Sequence, residues 1–320
     1  MAKTRRWLQR VRRAPEYIKE LRWSLGSEYP SPAPPAFAVD SAALAKFVIH
    51  WPQTYEWKTA GNFLDDLRRG LSRLVRVQEA SIPQSSGTVV IRVVYDATPH
   101  DVVVDYSDYV DRIDTRLLDR CSLYFKMQYR RQGYDASDKI LPGGYVNGHT
   151  EIYKYIPFAR ADAGRPSLFD VYGRFGLEFA REIRIRAVRI LNEQREFKFE
   201  GGLKKVRYSR SLQDAARSKI CIDLPGNGPF CFRLMDYFAV GACVIGAPHE
   251  AILPEPLEDR KHIVYTRPDL SDLVPLCLYY LSNDEAREAI RRASQQYFDQ
   301  YVHRDQLAQY YLHHIQKRLD

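Results

Sequence analysis

At 320 residues, with 45% apolar and 12% aromatic side chains, the chain is too long for one core and too apolar for disorder, so two globular domains of roughly 130–150 residues are expected. A net charge of +8 favours anionic partners, and nucleic acid, anionic lipid and nucleotide substrates all qualify. The five cysteines are odd in number, lie mostly in apolar runs and show no C-x-x-C spacing, which argues against a disulfide framework and a structural zinc site and for buried thiols in a reducing, cytoplasmic compartment.

Residues 1–27 interleave eight Lys and Arg with Trp7, Leu8, Ile18, Leu21 and Trp23, and Pro15 divides them into two short helices. The pattern fits an interfacial anchor on an anionic membrane, with Trp in the headgroup zone, and equally a helix docked on the body. No apolar run approaches the ~20 residues that span a bilayer, and the terminus lacks the apolar core of a signal peptide. A cytoplasmic protein, peripheral at the inner membrane face, is therefore expected. Four prolines in SEYPSPAPPAF mark a linker, so residues 1–35 form a basic segment and linker, followed by an expected first domain over 36–165.

That first domain alternates short apolar runs with polar helices, as α/β domains do. Phe47–Trp51 reads as a strand, Asn62–Leu74 as an amphipathic helix and Thr88–Tyr95 as a strongly β-branched strand. Asp101–Asp105 reads as a parallel strand, which places Asp105 and Asp108 just past its C-terminal end, where open α/β sheets bind ligands. Both are candidates for holding an acceptor or for taking a proton from its hydroxyl. Asp111 and Asp114 read as helix caps. Ser122–Tyr129 is a further strand candidate, Ile140–Tyr145 reads as a strand end turning into a flexible loop, and His50, Lys126 and His149 are minor site candidates beside ordinary structural roles.

The second domain is expected over 166–283. Leu168–Gly173 forms its first strand, with Arg174 at the strand's end, then come a basic helix to Leu191, a strand to Gly202 and a helix over Tyr208–Arg217. The stretch SKICIDLPGNGPFCFRLMDYFAVGACVIGA, from Ser218 to Ala247, then reads as strand, glycine loop, helix and strand. Asn227 or Gly228 is expected at the N-cap, Pro229 at the first helical position and Gly241 at the end, giving about three turns. Arg233 and Asp236 lie one turn apart among bulky apolar residues. An Arg beside free N–H groups at a helix start suits a phosphate, and the alternative is an i,i+3 ion pair between the two.

This segment resembles the donor-binding segment of GT-B glycosyltransferases, exostosin-like families especially, in which a strand ending in Pro-Gly leads to R-x-x-E and a later glycine. The resemblance implies two Rossmann-like domains with a cleft between them, and a sugar transferred from a nucleotide-sugar donor to a saccharide or lipid-linked saccharide acceptor. It implies donor contacts at Gly226, Asn227, Gly228, Arg233 and Asp236, the last standing where those families carry Glu; Arg174, at a βα turn expected to face the cleft, is a further candidate for the donor phosphate. The shorter side chain keeps the charge and loses about one methylene of reach. The sequence holds no D-x-D, Walker or dinucleotide motif, so the expected donor site uses no metal and no cofactor.

Beyond Ala247, Glu250 is expected near the cleft, Ile263–Tyr265 is a strand, Asp269–Ser282 a helix and Asn283 the cap of a longer one. Residues 284–320 are expected to be helical and, by the resemblance, to cross back to the first domain, with Asp305 restarting the helix and His303, His313 and His314 exposed. The rival reading is a basic α/β protein that binds nucleic acid without catalysis. It fits the charge but finds no RRM, KH or helix-turn-helix signature.

Overall fold

The structure, a computed structural model, describes residues 16–57, 61–135 and 138–320. A helix, α1 (residues 16–24), and the short α2 (Ser41–Leu44) precede a first α/β unit: β1 (Phe47–Pro52), α3 (Gly61–Leu74), β2 (Arg76–Ala80), β3 (Thr88–Tyr95), β4 (Thr98–Asp105), α4 (Thr115–Arg120), β5 (Leu123–Lys126), β6 (Ile140–Pro142) and α5 (Ile152–Ala163). The second unit contains β7 (Phe169–Arg174), α6 (Arg181–Glu193), β8 (Phe199–Gly202), α7 (Tyr208–Ala216), β9 (Ser218–Asp223), α8 (Phe232–Ala239), β10 (Cys243–Gly246), β11 (Val264–Tyr265) and α9 (Leu273–Ser282). Two further helices, α10 (Asp284–Tyr297) and α11 (Arg304–Leu319), are joined by a π-helical turn over Phe298–Val302. The α/β class with two sheets is as expected.

The second sheet, in the order β11-β10-β9-β7-β8, is parallel throughout and buried on both faces. Ile220, Ile222, Cys243 and Ile245 pack with α6 and α9, while Tyr172, Cys221 and Val244 face α7, α8 and α10. Continuous apolar runs follow from this two-sided burial. The first sheet, β2-β1-β3-β4-β5-β6, is mixed, because β3 runs antiparallel to both β1 and β4. β4 is parallel only to β5, which corrects the expectation of a simple parallel strand. The β3–β4 hairpin turns through Asp96 and Ala97, both with positive φ (49° and 66°), the geometry of a two-residue I′ turn.

The chain's end returns to the first sheet. Tyr311 stacks on Phe125 with centroids 4.0 Å apart and donates to the Gly143 carbonyl (2.8 Å), and Tyr310 donates to that of Pro142 (2.7 Å). Arg160 of α5 pairs with Asp299 in the π-helical turn (2.8 Å), which pins the crossing point. Asn283 caps α10 as expected, accepting from Ala286 N–H. His303, expected on an exposed helix face, is instead fully buried and caps α11 ahead of Asp305, accepting from Asp305 N–H; His313 and His314 are half-buried. Cys121, Cys221, Cys243 and Cys277 are buried free thiols and Cys231 is half-buried. Among the described residues, no helix is long and apolar enough to cross a membrane.

α1 corresponds to the second of the two expected N-terminal helices, and the first lies outside the described residues. Trp23, expected to seek the headgroup zone, is buried against Tyr155 and stacked on Phe158 (5.8 Å). It anchors α1 to α5.

Candidate functional site

The carboxyl ends of β7, β9 and β10 face those of β4 and β5, so loops from both units meet there. β9 ends in Asp223, and residues 224–231 cross to the other unit before α8 starts. Gln128, just beyond β5, accepts from Phe230 N–H (3.1 Å) and donates to the Phe230 carbonyl (3.1 Å), holding that peptide as a neighbouring strand would. A methyl group added at Gly228 would lie 2.6 Å from Gln128 Nε2 and 2.8 Å from the Asp108 carbonyl, so only glycine allows the approach.

The clasp overrides the local helix signal. α8 begins at Phe232 with Cys231 at its N-cap and no side-chain capping bond, three residues later than Pro229 predicts, and it spans eight residues, about two turns. Asn227 and Gly228 therefore belong to the loop and are not caps. Phe232 stacks between Phe63 (4.0 Å) and Tyr145 (5.2 Å) of the first unit, while Gly241, with φ at +67°, ends the helix as expected.

Arg233 is the second residue of α8. Its guanidinium turns back to the strand end, donating from Nε to Asp223 (3.1 Å) and from Nη2 to the Leu224 carbonyl (2.6 Å), with Phe175 beneath it. The alternative i,i+3 pairing with Asp236 is not what it makes. A second guanidinium stands beside it: buried Arg184 of α6 donates to the Pro225 carbonyl through Nε (3.1 Å) and Nη2 (2.7 Å), and to that of Gly176 through Nη1 (2.8 Å). Burial and the Arg233 charge both press its pKa down. Sequence reasoning missed Arg184, although its spacing to Ala187, Val188 and Leu191 puts it on the apolar face of α6, where an unpaired Arg is out of place.

Asp223 is buried, and its Oδ2 has no hydrogen-bond partner, with His249 Nε2 3.8 Å away. Asp236 Oδ1 accepts from the Tyr208 hydroxyl (2.9 Å) of α7 in its own unit and from Gly148 N–H (3.2 Å) and Asn147 Nδ2 (3.4 Å) of the first unit. Desolvation outweighs these donors and lifts its pKa to about 6. Arg174 pairs with Glu200 and donates to the Lys204 carbonyl (3.3 Å), flanking the site. Gly226 lies within the loop, its N–H donating to the Gly228 carbonyl (3.0 Å). His149 is exposed, stacked on Tyr208 (5.0 Å), and Glu250 accepts at its carbonyl from Arg131 N–H (2.9 Å) across the units. His50 lies on β1 beside Gln78 (2.7 Å), outside this cluster.

On the first unit the two candidate carboxylates differ. Asp105 is buried and saturated: Ser107 N–H (2.9 Å) and Oγ (2.6 Å) donate to Oδ1, and the Tyr124 hydroxyl (2.7 Å) and Lys126 Nζ (2.9 Å) reach Oδ2. Burial lowers the Lys126 pKa. Asp108 is half-buried, its pKa raised by desolvation against donors on Asn227 and Gln128. Thus Asp108, Asn227 and Gly228 meet across the units, while Asp105 lies in the floor of a cavity of about 320 Å³ walled by Trp57, Tyr109, Arg112 and Tyr124. Asp114 caps α4, accepting from Leu117 N–H (3.1 Å), whereas Asp111 reaches Arg130 (3.8 Å). Among the described residues, no three His, Cys, Asp or Glu side chains are grouped to hold a metal ion.

Known proteins resemble this chain distantly. A glycosyltransferase from Rickettsia africae ESF-5 matches at 12% identity and a TM-score of 0.38, covering 62% of this chain and 64% of its own. The GtfA/B complex matches at 12% identity and a TM-score of 0.44, covering 68% and 53%. MurG of Acinetobacter baumannii matches at 10% identity and a TM-score of 0.40, covering 79% and 77%. The chain thus spans between half and two-thirds of the length of the first two. No curated protein matches. Residues 174–313, from Arg174 through the loop and α8 into α11, match the family described as glycosyl transferase-like.

Proposed function

We propose that the chain is a GT-B glycosyltransferase of glycan assembly, moving a sugar from a nucleotide-sugar donor to a hydroxyl of a saccharide or lipid-linked saccharide. One observation carries the reading. The stretch matched to the glycosyl transferase-like family brings two guanidiniums, Arg184 and Arg233, to the loop between β9 and α8, at the carboxyl edge of a parallel sheet and facing the other unit. In this reading the donor diphosphate lies against Arg233, the loop amides of Gly226–Gly228 and the start of α8, with Arg184 fixing the loop and no metal required. Asp236 and Arg174 border the sugar and phosphate ends. The exostosin-like affiliation rests on the Pro225-to-Asp236 pattern.

The acceptor enters from the first unit, its sugar ring against Trp57 and Tyr109. Its hydroxyl oxygen bonds to the anomeric carbon as the bond from that carbon to the diphosphate oxygen breaks, and the electron pair leaves on the diphosphate. In this reading Asp108, beside Asn227 and Gly228 and with its pKa raised by desolvation, takes the hydroxyl proton. Asp105, already paired to Lys126, shapes the cavity. The basic N-terminal segment holds the enzyme at the cytoplasmic face of an anionic membrane.

The test is nucleoside diphosphate binding by calorimetry, with donor hydrolysis in parallel, for the wild type and Arg233→Lys. Lysine keeps the charge beside Asp223 and loses the fork. A loss of about 1.5–3 kcal/mol, ten- to a hundredfold in affinity, with an unchanged melting temperature supports the donor assignment. Failure of the wild type to bind any nucleoside diphosphate refutes the reading.

A further inference from the structure

α1 is fixed to α5 by Trp23, and this fixes what its other faces present. Ile18, Leu21 and Leu25, spaced for one helical stripe, are 68%, 62% and 79% exposed. The stripe does not end at α1. Arg207 of the second unit pairs with Glu20 and lies over the Tyr17 ring at 3.9 Å, and its neighbour Val206 is an exposed apolar residue. One step further, Lys205 pairs with Glu178 in the loop that leaves β7, where Leu177 and Phe179 are exposed, Phe179 by 50%. Successive contacts therefore link apolar side chains on α1 to an apolar lip on the second unit.

Cations border this band. Lys19 and Arg22 lie on α1 and Lys204, Lys205 and Arg207 between the patches, outnumbering Glu16, Glu20 and Glu178, of which Glu20 pairs with Arg207 and Glu178 with Lys205, and the sequence of residues 1–15 carries six further Lys and Arg with no Asp or Glu. Apolar side chains in a basic surround match the chemistry of an anionic bilayer. The lip also has a fixed relation to the proposed donor site. Gly176, at its base, accepts from Arg184, which holds Pro225 of the donor loop.

We infer that α1 and the 175–180 loop dock together on an anionic phospholipid surface, with Ile18, Leu21, Leu25, Leu177 and Phe179 entering the headgroup region. This rests on the membrane association proposed above and adds a second contact to it. A single contact at α1 leaves the molecule free to pivot. The second sets the orientation and brings the site between the units to the bilayer, where a lipid-linked acceptor resides.

The test is flotation of the full chain with phosphatidylcholine vesicles containing about one-third phosphatidylglycerol, compared with phosphatidylcholine alone. Wild type is expected to float with the anionic vesicles only. The pairs Ile18→Glu with Leu21→Glu, and Leu177→Glu with Phe179→Glu, are each expected to lower the bound fraction by about tenfold or more. Tyr279→Glu, an equally exposed aromatic on α9 (49%), is expected to float as wild type. Unchanged flotation of the Leu177 and Phe179 pair overturns the second contact even where the α1 pair fails to bind. An equal loss from Tyr279→Glu overturns the inference too, because binding is then generic. Nucleoside diphosphate affinity, read on the same samples without vesicles, keeps this result separate from the transferase reading.

Discussion

Asp236 ties the stability of the fold to pH through its protonation. Its pKa rises from an ordinary 3.8 to about 6 in the folded chain, with desolvation as the leading cause, so the folded state holds the proton more tightly than the unfolded state. The stabilising contribution is complete below about pH 4 and is lost as pH rises through about 6. At about 1.4 kcal/mol per pH unit, the shift corresponds to about 3 kcal/mol of stability given up at pH 8. Asp236→Asn keeps an oxygen to accept from Tyr208, Gly148 and Asn147 and removes the titration. The variant should therefore be more stable than wild type at pH 8, by up to about 3 kcal/mol, with the two converging near pH 4. Urea denaturation at several pH values between 4 and 8 measures this. Parallel stability curves, or an Asn variant less stable at pH 8, would refute the argument. If the carboxylate serves donor binding, the same variant loses nucleotide-sugar use at the pH where it gains stability.

Two further outcomes follow from the contacts. Gly228→Ala forces a methyl group against Gln128 Nε2 and the Asp108 carbonyl, at 2.6 and 2.8 Å, and should cost about 1–3 kcal/mol in urea denaturation; no change in midpoint means the units part easily there. Lys126→Met strands the buried Asp105 carboxylate and should cost about 3–5 kcal/mol, while the double variant with Asp105→Asn recovers most of it. A double variant as unstable as the single one contradicts the pairing.

What was legible in the sequence was the part set by neighbours along the chain. The β-branched run Thr88–Tyr95 and the apolar stretch ending at Asp223 became strands, and Asn283 became a cap, because propensity, burial and capping all favour the same outcome there. The β3–β4 hairpin was hidden because its I′ turn is built from Asp-Ala, whereas the usual signal is a glycine in the second place. α8 was misplaced for a longer-range reason: Gln128, 102 residues earlier, captures the peptide of Phe230 and holds the loop extended where Pro229 alone would start a helix.

His303 shows the same dependence on distant partners. It lies in a polar, helical stretch, and its pattern reads as surface, yet Nε2 lies 3.0 Å from the Tyr29 carbonyl and Nδ1 accepts from Asp305 N–H. Both ring nitrogens are occupied, and burial lowers its pKa, which favours the neutral ring. The candidate site follows this logic. Residues that one segment supplies, Arg233 and Asp236, stand out in the sequence as charges among apolar neighbours. The groups that decide what they do, Asp223 and Arg184 around one and Tyr208, Asn147 and Gly148 around the other, come from other elements. A pattern of the R-x-x-D kind therefore locates such a site, and only the meeting of the two sheets sets the direction of its guanidinium and the protonation of its carboxylate.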